Sequence, residues 1–141
     1  FDNQLHLIGY KLAETSVARS QKYRLTLYWR VAKATPTSWK LFMHPHPLHA
    51  DRWPLTAPDP TEDENKPCVG CFQTNHWMPG DIIADTFEQE VPLGATSGPN
   101  DIILGWYNPS SEQRMPLLAA SGQGVQKLSD NRVNIGQLQV R

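Results

Sequence analysis

The chain has 141 residues, 13 of them basic and 14 acidic. So even a balance offers no field to draw in a phosphate backbone or an anionic bilayer, which argues against nucleic acid as a partner. The length suits a single domain, residues 1–141, able to bury roughly two-thirds of its unfolded surface. No stretch approaches the ~20 consecutive apolar residues of a membrane helix.

Taken in chain order, the periodicity is that of strands. Leu5 to Leu12 reads as a first strand, with Thr15 to Gln21 as a connection. Tyr23, Leu25, Leu27, Trp29 and Val31 then alternate with Arg24, Thr26, Tyr28 and Arg30, the period-two pattern of a half-buried strand. A turn at Ala34 to Thr37 leads to a third strand over Trp39 to Met43.

A long loop follows, with six of the chain's twelve prolines between Pro45 and Pro67. Proline lacks the backbone donor that helix interiors and central strands require, so regular structure should be sparse there. Met78, Pro79, Gly80 and Asp81 mark a turn, and Ile82 to Val91 a strand. Gly94 to Asn100 is a turn, Ile102 to Tyr107 a strand, and Arg114 to Leu118 its expected hairpin partner after a turn at Asn108 to Ser111. Val133 and Ile135, then Leu138 and Val140, form a last strand. About eight short strands and no amphipathic helix predict an all-β, antiparallel sandwich of the jelly-roll kind.

The order LIGYKL, LTLYWRVAK, LFMHP, WMPGDIIADTFEQEVP and DIILGWYNPSSEQRMPLL resembles the soluble β-sandwich domains appended to bacterial membrane glycosyltransferases of the dolichyl-phosphate-mannose mannosyltransferase type. The resemblance implies an extracytoplasmic setting and a place in or beside a membrane complex. Strand and turn patterns of this kind speak for fold more than for activity. The chain departs from that pattern over residues 45–76, where the family has a short connection.

The departure concentrates the candidate chemistry. Four of the five histidines and both cysteines lie between His44 and His76. His44 and His46, two residues apart, share one face of an extended chain and with Cys68 and Cys71 would make a closed tetrahedral zinc site. In an oxidising compartment Cys68 and Cys71 would instead be a disulfide shaping the loop tip, the preferred reading, with no cofactor. Phe72 after the second cysteine rules out c-type haem attachment, and the flanks are not those of a redox dithiol.

Of the five tryptophans, Trp29, Trp39 and Trp106 fall inside strand patterns and are expected in the core. Trp53 and Trp77 flank the loop and, with His46, Asp51, Arg52 and Asp59, form the predicted saccharide groove, because sugar rings stack on flat aromatic faces. His6 on its strand and His76 beside Trp77 read as structural. The acidic residues Asp59, Glu62, Asp63 and Glu64 read as loop solvation, and Asp85, Glu88 and Glu90 as strand positions of alternating exposure, so no carboxylate pair for glycoside hydrolysis is evident. The expectation is a non-enzymatic module binding a glycan or protein partner through its long loop. The alternatives are an assembly subunit of a membrane complex, a small zinc-stabilised domain, or a hydrolase whose carboxylates do not pair in sequence.

Overall fold

The computed structural model describes residues 1–14, 16–44, 50–52 and 73–141, with the backbone alone at 44, 50–52 and 87. Nine strands are found among them: β1 (Leu5–Leu12), β2 (Ser16–Val17), β3 (Lys22–Val31), β4 (Lys40–His44), β5 (Ala50–Arg52), β6 (Ile82–Glu90), β7 (Gly98–Tyr107), β8 (Gln126–Leu128) and β9 (Arg132–Val140). They form two sheets, one of order β1-β3-β6, the other of order β2-β9-β7-β4-β5 with β8 also on β9. All pairs are antiparallel except the two-residue β2 against β9. The expected all-β sandwich is the fold.

The core lies between the sheets. Leu25, Leu27 and Trp29 from β3 meet Leu104 and Trp106 from β7, all buried. The Trp29 and Trp106 rings touch across the gap with centroids 4.9 Å apart and planes tilted by 59°. Such an aromatic contact adds about 0.5–1.5 kcal/mol to the area that each ring buries. β3 thus sits over β7, which sets β1 over β9 and β6 over β4.

Two bulges explain where the alternation slips. In β1, Leu7 pairs with Trp29 and Gly9 with Tyr28, leaving Ile8 extra and more than half exposed, so the inward series runs Leu5, Leu7, Tyr10, Leu12. In β9, Gly136 pairs with Ile102 and Asn134 with Ile103, so the buried series steps from Val133 and Ile135 to Leu138 and Val140.

The segment expected to pair back on β7 does so only at its start. Tyr107 and Arg114 form an isolated bridge, and Met115 donates its N–H to Trp106 O at 2.9 Å. Pro116 then has no N–H to continue the ladder. The chain runs on irregularly to residue 125, with Met115 and Leu117 buried as a lid on the core.

The Trp-Met-Pro-Gly-Asp sequence is a turn whose parts each have a task. Pro79 sets the first central position and Gly80, at φ 90°, takes the left-handed second one, as a type II turn requires. Asp81 N–H donates to Met78 O at 3.0 Å, and its carboxylate accepts from Met78 N–H at 2.9 Å. The turn docks on the end of β3 through Gly80 N–H to Val31 O at 2.8 Å, aiming the preceding Trp77 into the core.

Thr74, fully buried in the 3-10 turn Thr74–His76, ties that turn to the connection between β3 and β4. Its hydroxyl accepts from Trp39 N–H at 2.9 Å and donates to Thr37 O at 3.0 Å. The Trp39 indole N–H in turn donates to Thr35 Oγ1 at 3.0 Å.

Candidate functional site

A half-open cleft of about 490 Å³ lies where β1 stands over β9, bounded on its outer side by the irregular run after Met115. Its floor is apolar: Leu7 from β1, Leu117 from the irregular run, and Val133 and Ile135 from β9. Its more exposed lining is mixed: His6, Tyr10, Ser121 and Gln123 with the apolar Ile8 and Ala119. The size falls in the range of small-molecule sites, roughly 300–1,000 Å³.

Tyr10 makes one wall. The bulge at Ile8 turns it inward, opposite Leu27, and it reaches across to the bend in β9. A Cβ at Gly136 would overlap the Tyr10 hydroxyl and stand 2.9 Å from Tyr10 Cζ, so only glycine admits this approach. Tyr10 as a residue keeps 37% of its surface exposed, which leaves it able to touch a guest.

His6, on the same strand, belongs to the outward face of its sheet. Arg30, its neighbour across the β1–β3 ladder, lies with Nη2 3.0 Å from His6 Nδ1. A guanidinium only donates, so Nδ1 is the acceptor and the neutral ring carries its proton on Nε2. Desolvation, then the N-terminal ammonium and Arg30, hold the His6 pKa below its ordinary value.

The residues singled out in the sequence fall elsewhere. Trp77 is 1% exposed and stands edge-on to Trp106 with centroids 6.0 Å apart. It is a core residue with no ring face for a sugar, which corrects its placement in a saccharide groove. Trp53, His46, Asp59, Cys68 and Cys71 lie outside the described residues. Asp51 and Arg52 lie on β5, opposite Phe42 and Leu41, and His44 ends β4 opposite Ile103. The predicted groove, disulfide and zinc set thus rest on side chains that the structure does not describe. Among the described residues no three of His, Cys, Asp and Glu gather as ligands.

Two structural readings also change. His76 is exposed rather than packed beside Trp77. Asp85, expected as an ordinary strand position, is 0% exposed, because it pairs with Leu27 on the inward face of β6.

The cleft itself was not anticipated from the sequence. The signal was the broken alternation Leu7-Ile8-Gly9-Tyr10, two adjacent apolar residues and a glycine, which marks a bulge and a reversed phase after it. β4 and β5 stand at the edge of the larger sheet away from this cleft.

No family model matches the chain, and no curated protein matches it. Among solved structures, it is similar to a Niemann-Pick type C2 protein from Japanese carpenter ant, with a TM-score of 0.46 and 11% identity over 96% of this chain and 91% of that one.

Proposed function

We propose that this sandwich is a non-enzymatic binding module that recognises a glycan, and that its recognition site is the cleft between β1 and β9. The observation carrying the reading is the meeting in that cleft of a buried apolar floor with a partly exposed tyrosine and the polar side chains Ser121 and Gln123. A saccharide ring has the matching character, C–H faces that lie against apolar or aromatic surface and hydroxyls that seek donors and acceptors at the edge. The likeness to domains appended to membrane glycosyltransferases supports an extracytoplasmic accessory role. Among the described residues no helix is long and apolar enough to cross a membrane.

A glycan array with the intact chain tests this, followed by titration of whatever is retained. Tyr10→Ala should weaken binding about tenfold, the equivalent of ~1.4 kcal/mol, and Gly136→Ala should weaken it by driving the phenol into the cleft. Binding that survives both changes but is lost in Trp53→Ala would move the site to the Pro-rich loop, and retention of no glycan would overturn the reading.

A further inference from the structure

We infer that the glycan of this cleft carries a hydrocarbon chain, joined as an alkyl ether or an acyl ester, which fills the floor while the sugar stays at the mouth; the inference rests on the saccharide reading of the cleft. The exposure of the lining carries it. Phe1, Leu117, Val133 and Ile135 are its buried members, each 7% exposed or less, and all four are apolar. The polar side chains of the lining, Tyr10, Ser121 and Gln123 among them, are all at least partly exposed. The buried part of the lining therefore offers no side-chain donor or acceptor.

Shape points the same way. The buried four come from three separate segments: Phe1 ahead of β1, Leu117 from the irregular run, and Val133 and Ile135 from β9. Side chains brought in by three segments line a recess, not the plane on which a sugar ring stacks. Two of its walls are fixed without a guest. The Phe1 ring packs against Trp29 with centroids 6.1 Å apart, and Leu117 N–H donates to Asn131 Oδ1 at 3.0 Å. A sugar ring pushed into the recess would carry its hydroxyls out of water and past side chains that cannot bond them, the loss that any buried unpaired polar group suffers. A hydrocarbon chain has no such loss and gains with each methylene removed from water. The sugar finds its own partners at the mouth, in the Tyr10 phenol and the exposed Ser121 and Gln123.

Titration of the intact chain, followed by NMR, tests the assignment with methyl, butyl and hexyl glycosides of glucose and of galactose, the hexanoyl esters of both sugars, and hexanol alone. For at least one sugar the affinity should rise by about fourfold per added methylene, the equivalent of ~0.8 kcal/mol, so that the butyl glycoside binds at least about tenfold more tightly than the methyl one. Preference for the hexyl glycoside over the hexanoyl ester names an ether link and the reverse an ester, either in keeping with the assignment. Val133→Thr keeps the shape of the side chain but puts a hydroxyl on the floor, and should cut the gain from methyl to butyl to within about threefold; thermal melts verify that it folds, and the wild-type series decides the matter if it does not. Methyl, butyl and hexyl glycosides that bind within about twofold of one another, or a gain that survives Val133→Thr, would overturn the assignment while leaving the saccharide reading intact. Hexanol binding as tightly as the hexyl glycosides would overturn the saccharide reading itself, and with it the inference. Binding of none of the probes removes both.

Discussion

Gly105→Ala is a small change with a large expected consequence. Gly105 lies in β7 directly opposite Phe42 of β4, on the outer face of the larger sheet, and the Phe42 ring lies over it. A Cβ at this position would stand 2.5 Å from Phe42 Cζ, 2.8 Å from Cε1 and 2.9 Å from the Asn131 carbonyl oxygen. Neither neighbour has room to retreat. The Arg114 guanidinium covers the Phe42 ring at 4.5 Å from its centroid, and it is held there by a 2.9 Å bond from Nη1 to Asp130 O. Asn131 sits in the turn between β8 and β9, where it and Asp130 both adopt φ 58°. Overpacking of this kind costs about 1–3 kcal/mol, and a blocked ring plus a blocked main-chain oxygen places this case at the upper end. At about 2–4 °C per kcal/mol for a chain of this class, the melting temperature should fall by about 6–12 °C. Thermal denaturation followed by circular dichroism measures it, with the same change repeated in Phe42→Ala. There the penalty should shrink, because only the Asn131 oxygen remains in the way. A Gly105→Ala protein that melts within about 1 °C of wild type would refute the reasoning, since overpacking would then have cost well under the ~1 kcal/mol minimum.

Trp77→Ala should lower stability by about 3–5 kcal/mol in chemical denaturation, as a large core truncation does, and Trp77→Phe by less. Measured well below the melting temperature, glycan binding by either variant should match wild type; selective loss of binding would return Trp77 to the ligand site. By proton NMR, His6 should titrate below the ordinary histidine value of about 6.5, and Arg30→Gln should raise its midpoint. Because the folded-state pKa is depressed, the stability linked to His6 is present above the unfolded value and fades as pH falls through the folded one. A midpoint above 6.5 in the wild type would contradict the bond to Arg30.

The fold was legible because the inward residues of β3 alternate without a break from Tyr23 to Val31, and one such strand demands a second layer to cover it. The split of β9 into Val133 and Ile135, then Leu138 and Val140, was visible as well. Its cause, a bulge at Gly136, depends on the opposing strand and on Tyr10, which no local pattern contains. Trp77 was misjudged for a related reason. A tryptophan next to a Pro-Gly turn resembles a loop residue, but the direction of the chain entering that turn is set by Val31 at the end of β3, far away in sequence. β5 and β8 have too few residues for a period to show. His6 looked ordinary because its partner, Arg30, stands across the ladder and far away in sequence.

The buried hydroxyl of Thr74 bears on how such a chain diversifies. Its bonds to Trp39 N–H and Thr37 O fix the chain that has left β5 to the approach of β4, before it re-enters the core through Trp77. With β5 fixed at one end and Thr74 at the other, the length of sequence between them is cheap to change, since each doubling of a closed loop adds only about 0.6 kcal/mol of closure entropy. A docking port of this design lets inserts be exchanged, by evolution or in the laboratory, while the sheets beneath keep their registers.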